Sequence, residues 1–376
     1  MMRVILAAGG TAGHINPALA IADKIAETVP DSDILFVGTP TGLEAKLVTR
    51  AEYAFAPIKA AGLQRGFTPR KIARNAKAAY YFITAARTAK RLIQNFNPDV
   101  VIGTGGYVTA PVLRTAAKLG YKTVTHESNS LPGVATKMLA KTADRVFVAD
   151  EDAVKRLPPS ENRKYTVTGN PLRGVFRAEN RGDALASLGL PAGMTVLSFG
   201  GSLGANRITE AVIRLLSWEN GKGDVNHIHA YGGNGKAVFD KLLTDNGVVL
   251  NPERTIVAEY IHNMYTCMAA ADLVISRSGS MTLTELKAFG RASIQIPWAG
   301  AAENHQYYNA LTMSERNAAI LIKDAELTGE ILTRTVEKLY NNRILIREME
   351  GNAAKMASPN AADVIVREII ELVNNG

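Results

Sequence analysis

The stretch LVISRSGSMTLTELKAFGRASIQIPWAGAAENHQYYNA, residues 273–310, decides how this chain is read. Leu273 to Ser276 forms a short apolar strand, Arg277 to Ser280 a loop of small residues, and a helix follows. Ser293 to Pro297 is a second buried strand, and after its loop another helix opens near Glu303. Both loops then lie at the carboxyl ends of parallel strands, where open α/β sheets take their ligands. The first loop presents backbone N–H groups at a helix N-terminus, which suits a phosphate. Glu285, within that helix, is an acceptor able to take two hydrogen bonds, as a ribose diol requires. It also fits a capping box, Thr282-Leu283-Thr284-Glu285, in which the carboxylate only returns to a backbone N–H. Glu303, Asn304, His305 and Gln306 on the second loop suit sugar hydroxyls. The outline is that of a nucleotide-sugar pocket.

Working outward, Arg3–Ala8 reads as a strand, Gly9-Gly10-Thr11-Ala12-Gly13-His14 as its turn, and Pro17–Thr28 as a helix. Proline belongs near a helix start, where its missing N–H would be unpaired anyway. The spacing differs from the dinucleotide G-x-G-x-x-G pattern. Strand and helix continue to alternate through Gly103-Thr104-Gly105-Gly106-Tyr107 and His126-Glu127-Ser128-Asn129. The pattern stops around Gly169-Asn170-Pro171-Leu172-Arg173, and a second series begins near Met194, with its own loop Gly200-Gly201-Ser202-Leu203-Gly204. Repeated alternation predicts α/β architecture, two Rossmann-like domains facing a cleft. The expected boundaries are 1–168, 169–355 and a tail 356–376. Within that tail Ala361–Val373 is an amphipathic helix, carrying Ile365 and Ile369 on one side and packing back toward the first domain. A single glycine loop says little, but three at strand ends point to a phosphate-bearing ligand.

Composition narrows the class. Of 376 residues 47% are hydrophobic and 21% charged, as in ordinary globular proteins. A single cysteine, Cys267, rules out an internal disulfide and a cysteine-rich zinc site, and fits a reducing compartment. The six histidines form no H-E-x-x-H cluster, so no catalytic metal is expected. No G-x-x-x-x-G-K-[ST] appears, which disfavours P-loop nucleotide hydrolysis. Apolar runs fall well short of the ~20 residues that span a bilayer. The net charge of +8 equals the eight basic residues between Gly62 and Ile93, a segment without acidic residues. Such a patch suits an anionic surface, or else is a solvated helix face.

The ordered motifs GGTAGH (9–14), GTGGY (103–107), HESN (126–129), GNPLR (169–173), GGSLGA (200–205), RSGSMTLTE (277–285) and ENHQYYNA (303–310) carry a resemblance. Over nearly its whole length the chain resembles the MurG family of bacterial glycosyltransferases. Those enzymes move N-acetylglucosamine from UDP-N-acetylglucosamine to undecaprenyl-linked lipid I, making lipid II for peptidoglycan. The resemblance implies the two-domain GT-B fold, an inverting transfer to the C4 hydroxyl of the N-acetylmuramyl unit, and no cofactor. It implies that the Ile261 backbone meets uracil and Glu285 the ribose. Ser202 and the N–H groups of Ser280, Met281 and Thr282 would hold the diphosphate, with Arg173 nearby. Thr11, Ala12, Gly13, Asn129 and Gln306 would contact the sugar. His14 would be the general base and Glu127 its rival, with Gly105, Gly106, Tyr107 and His126 positioning the acceptor.

Ala12 and Leu203 depart from the residues common in that family, glycine and a polar residue. The basic segment, with Tyr80-Tyr81-Phe82-Ile83 inside it, would then meet an anionic membrane surface peripherally, at the cytoplasmic face. One alternative is a UDP-N-acetylglucosamine 2-epimerase, which shares the GT-B architecture and needs no acceptor. A binding module for nucleic acid is a further alternative, and no RNP-type or helix-turn-helix signature supports it.

Overall fold

The computed structural model describes residues 1–61, 69–160, 164–174, 179–201, 204–233 and 235–375, with only the backbone of residues 69–79 and 83. It divides into two compact units, residues 1–174 with 358–376, and residues 175–357. The first contains β1 (Arg3–Ala8), α1 (Ala12–Thr28), β2 (Asp33–Gly38), α2 (Leu43–Arg50), β3 (Ala54–Pro57) and α3 (Pro69–Phe96). It continues with β4 (Val100–Gly105), α4 (Thr109–Lys118), β5 (Lys122–Glu127), α5 (Val134–Leu139), β6 (Arg145–Val148), α6 (Glu151–Val154) and β7 (Tyr165–Val167). The second runs α7 (Arg181–Ser187), β8 (Met194–Phe199), α8 (Asn206–Lys222), β9 (Val225–Ala230), α9 (Lys236–Asp245), β10 (Thr255–Ala258) and α10 (Met264–Ala270). Then follow β11 (Leu273–Ser276), α11 (Ser280–Phe289), β12 (Ala292–Gln295), α12 (His305–Ser314), β13 (Ala319–Leu321), α13 (Gly329–Asn341) and α14 (Arg343–Lys355). The last helix, α15 (Ala361–Asn374), belongs to the first unit.

Each unit holds one parallel sheet, in the orders β3-β2-β1-β4-β5-β6-β7 and β10-β9-β8-β11-β12-β13. The order reverses between β1 and β4 in the first and between β8 and β11 in the second. Such reversals leave a crevice beyond the strand ends. Both faces of a parallel sheet are covered, so its strands are apolar throughout. In β1, Val4, Leu6 and Ala8 join α1 and α15 on one side, while Ile5 and Ala7 join α3 and α4 on the other.

In the second unit a buried polar chain crosses the sheet. Glu219 accepts from His227 Nδ1 at 2.8 Å, and Ser198 Oγ lies 2.7 Å from both His227 Nε2 and His229 Nδ1. Burial, and then the neighbouring His227, pushes the His229 imidazole down to about 3. His229 is therefore neutral at physiological pH.

The strands around residues 273–295 lie where the sequence places them. The first helix does not: it begins at Ala12, well before Pro17. Pro17 has no N–H for the Gly13 carbonyl one turn back, and the Ser128 hydroxyl donates to that carbonyl instead, at 3.4 Å. Glu303 likewise lies outside α12, in a 3-10 turn where Glu303 and Asn304 have φ of 54° and 59°. Helices α5, α6, α7, α13 and α14 and strand β13 were not anticipated.

Ile365, Val366 and Ile369 of α15 are fully buried against α1, closing one side of the first unit. Ile369→Ala is expected to lower that unit's unfolding free energy by about 2–5 kcal/mol. The check is an earlier urea transition, followed by a probe in residues 1–174.

Candidate active site

At the reversal of the first sheet, the loops after β1 and β4 press together. Gly105 and Gly106 hold φ of 116° and 90°, and a Cβ on Gly106 would stand 2.1 Å from the Gly9 carbonyl oxygen. Gly9 N–H donates to the Gly105 carbonyl at 3.3 Å. The Thr104 hydroxyl donates to the His14 carbonyl at 2.7 Å, fixing the first turn of α1 against β4. A Cβ on Gly105 would lie 2.5 Å from His14 Cδ2, so the imidazole packs against bare backbone. His14 Nδ1 is 3.1 Å from the Gly9 carbonyl. A carbonyl only accepts, so this bond calls for the Nδ1–H tautomer, which leaves Nε2 free; the Thr11 hydroxyl lies 3.5 Å from the same nitrogen. Thr11, Ala12 and the half-exposed Tyr107, whose ring approaches Gly10, complete this exposed rim.

One residue here escaped the sequence reading. Glu44, 1% exposed in the first turn of α2, accepts from Gly10 N–H at 3.1 Å, Thr39 N–H at 2.8 Å and the Thr39 hydroxyl at 2.5 Å. Burial alone would raise its carboxyl, but these hydrogen bonds, led by the Thr39 hydroxyl, bring it below the usual carboxylate range. Any Cβ on Gly9, Gly38 or Gly42 would strike its side chain. Three glycines converging on one acidic position are the only signal the sequence offered.

The HESN segment resolves into structural and exposed parts. Glu127 is buried and accepts from Asn129 N–H and Nδ2 and Gly133 N–H, all at 3.0 Å, and from the Thr136 hydroxyl at 2.6 Å. Both of its oxygens are occupied by the loop that they shape. His126 does not face the acceptor loops: it is 1% exposed and its Nε2 donates to the Gly169 carbonyl at 3.2 Å. Burial pushes its pKa down, so it stays neutral and fastens the end of β7. Arg173, expected near a diphosphate, pairs with Asp23 of α1 at 2.6 Å inside the first unit. Tyr53 donates to the same carboxylate at 2.7 Å.

In the second unit the loop after β11 lies beside the other reversal, with the loop after β12 next to it. Gly279 caps α11 without a side-chain bond, and Leu283 N–H is the first to find a helical acceptor, the Gly279 carbonyl at 3.0 Å. The N–H groups of Ser280, Met281 and Thr282 precede it at the helix start, where backbone donors and the helix dipole suit an anion. With Gly279 at the cap, the capping-box reading of Glu285 fails. Among the described residues no donor reaches the Glu285 carboxylate, and burial pushes it up to about 7. Arg277 is clamped by Asp324 and the Ile296 carbonyl, and Asn309 Nδ2 donates to the Ser278 carbonyl at 3.2 Å, tying α12 to this loop. Gln306 Oε1 accepts from Trp298 N–H at 2.9 Å, orienting its amide on the β12 loop. The Ile261 side chain is in the core, just beyond β10. Ser202 lies outside the described residues.

Two family patterns match this arrangement: the glycosyltransferase family 28 N-terminal domain over residues 4–148, and its C-terminal domain over residues 195–365. The chain belongs to glycosyltransferase family 28. Across 97% of both chains this family 28 member is 40% identical to the UDP-N-acetylglucosamine–N-acetylmuramyl-(pentapeptide) pyrophosphoryl-undecaprenol N-acetylglucosamine transferase of Desulforamulus reducens. The crystal structure of Acinetobacter baumannii MurG matches with a TM-score of 0.77 and 27% identity, covering 99% of this chain and 100% of that one. Its two parallel-sheet units have the GT-B fold. A Neisseria meningitidis UDP-GlcNAc 2-epimerase superimposes with a TM-score of 0.67 over 99% of this chain and 100% of that one. At 12% identity this likeness shows the fold alone.

The saturated Glu127 gives a direct check. Glu127→Gln puts an amide donor against backbone N–H groups, so stability is expected to fall by about 1–3 kcal/mol. A calorimetric scan showing an unchanged melting temperature would instead leave Glu127 free for proton transfer.

Proposed function

We propose that His14 is the general base of an inverting transfer, with the donor held by the loops after β11 and β12. The protein is a UDP-N-acetylglucosamine-dependent glycosyltransferase that converts lipid I to lipid II in peptidoglycan synthesis. What supports His14 as the base is the 3.1 Å approach of its Nδ1 to the Gly9 carbonyl, which calls for the tautomer with Nε2 free for the acceptor. In the reaction the C4 hydroxyl oxygen attacks the anomeric carbon and Nε2 takes its proton. The bond from that carbon to the phosphate oxygen breaks, UDP departs, and the configuration inverts. Charge developing on the diphosphate meets the N–H groups of Ser280, Met281 and Thr282. Glu285 accepts from the ribose hydroxyls, while Gln306, Asn129 and the Thr11–Gly13 turn face the sugar. Tyr107 and the Gly105–Gly106 turn are the acceptor's side of the reaction.

Attachment to the cytoplasmic face of the membrane is part of the same reading. No helix among the described residues is long and apolar enough to cross a bilayer. What supports a peripheral contact is α3, where the exposed Tyr80 falls on the same helical face as the exposed Arg87 and Arg91, with Lys90 at its edge, while Ala85, Ala89 and Ile93 face the core. Apolar and cationic groups on one outer face suit an anionic interface. The side chains of Arg70, Lys71, Arg74 and Lys77 lie outside the described residues.

Incubation with UDP-N-acetylglucosamine and a short-chain lipid I analogue tests the reaction, with the product read by mass. His14→Gln keeps a polar side chain but no usable base, so single-turnover rates are expected to fall about 10²–10⁴-fold with UDP affinity nearly unchanged. Retention of most of the wild-type rate would make His14 a positioning residue only.

Glu285 gives a pH dependence with a definite sign. Its carboxyl titrates at about 7 in the free protein, and the ionised form is the acceptor that ribose needs. UDP affinity is therefore expected to strengthen as pH rises through 7. Glu285→Gln should weaken binding about ten- to hundredfold, the loss of a charged hydrogen bond, and flatten the pH dependence. Calorimetry with UDP at pH 6 and pH 8 reads both.

A further inference from the structure

The Gly9–Gly10 peptide group carries two hydrogen bonds that belong to different side chains. Its N–H donates to Glu44 Oε2 at 3.1 Å, and its carbonyl oxygen faces His14 Nδ1 at 3.1 Å. In a trans peptide these two groups point to opposite sides of one rigid plane. Carboxylate, peptide and imidazole therefore form a single line of donors and acceptors. We infer that Glu44 is a positioning residue for His14, acting through the Gly9–Gly10 peptide to fix the imidazole's tautomer and orientation. The inference rests on the reading of His14 as base.

The physical argument has three parts. A carboxylate on the N–H side polarises the amide, so its carbonyl oxygen becomes a stronger acceptor for Nδ1–H. A stronger acceptor there holds the Nδ1–H tautomer, which leaves Nε2 as the basic atom. It also stabilises the imidazolium that forms when Nε2 takes a proton, as a directly bonded carboxylate does in a catalytic triad. Gly10, with φ of 90°, turns the loop so that one plane meets both partners.

The surroundings point the same way. Gly9, Gly38 and Gly42 leave no space for a Cβ beside the Glu44 side chain, so its carboxylate has one place to lie. Thr39 supplies two donors to Oε1, which leaves Oε2 directed at Gly10. The start of α2 adds favourable positive potential around the charge. A carboxylate present only for stability would have no need to share a peptide plane with the reacting histidine.

Glu44→Gln removes the charge and puts an amide where the loop needs acceptors, and Glu44→Asp keeps the charge but shortens the reach. Both are compared with Thr39→Val, which weakens the cradle on the Oε1 side alone. The expected result for Glu44→Gln is kcat about tenfold lower, the order seen when a partner orienting a functional histidine is lost, with KM for UDP-N-acetylglucosamine within twofold. Glu44→Asp should fall between, and Thr39→Val, which removes one of the two donors to Oε1 and keeps the charge, should melt earlier with a smaller fall in kcat than Glu44→Gln.

Histidine ¹⁵N spectra, with His14 assigned by its absence in His14→Gln, give a readout that mere destabilisation does not move. Wild type should show the Nδ1–H form, and folded Glu44→Gln a shift toward Nε2–H. An Nε2–H form in wild type overturns the proposal even if no Glu44 variant folds. So does an unchanged tautomer with unchanged kcat in either folded Glu44 variant. Full activity of His14→Gln would instead remove the base reading, and the tautomer comparison would still judge the positioning by Glu44.

Discussion

Everything chemical in the first unit depends on how closely two backbones approach at the sheet's reversal. With a Cβ on Gly106 only 2.1 Å from the Gly9 oxygen, the loops after β1 and β4 touch with no side chain between them. That contact puts a carbonyl at His14 Nδ1 and the bare Gly105 backbone beside its ring. The entropic disadvantage of so many glycines is offset by the geometry that they permit. A bulkier loop would hold the same histidine, but on a longer lever and with an unfixed tautomer.

The second unit repeats the strand order and pins its loops differently. There the turn after β11 is held by the Arg277–Asp324 ion pair, whose side chains are 13% and 15% exposed, and by Asn309 reaching Ser278. A pair so withdrawn from solvent is little screened by salt and is directional at the guanidinium. The helix N-terminus it supports presents N–H groups, so the polar side chains around it work as braces. One unit thus positions an imidazole by backbone packing, and the other positions backbone donors by side-chain packing.

The architecture was legible because parallel strands buried on both faces appear as short apolar runs between glycine loops, as at Leu273–Ser276. Short or half-polar pieces such as β13 and α6 carry too few residues for periodicity to register. Pro17 misled because a proline inside a helix is tolerated when the stranded carbonyl finds another donor, here Ser128 from a distant strand end. In the site, residue type was visible but burial was not. His126 and Glu127 are polar groups in a motif, yet one is a core histidine and the other a loop clamp. Arg173 finds Asp23, a partner that no spacing rule links to it. Glu44 looks like any acidic residue opening a helix, since its partners Gly10 and Thr39 lie on other segments.

The return of α15 to the first unit has a bearing on synthesis. Residues 175–357 are one uninterrupted segment, so their core has all its parts as soon as that segment has been translated. The first unit is in two pieces, and the core on the α1 side of its sheet stays incomplete until residues 358–376 follow the whole second unit. During that interval the part of this core that Ile365, Val366 and Ile369 complete lacks its cover, the kind of surface on which chaperones act and nascent chains aggregate. The domain begun first is thus the one completed last. A ribosome stalled late in the message would leave a finished second unit joined to an open, sticky first one.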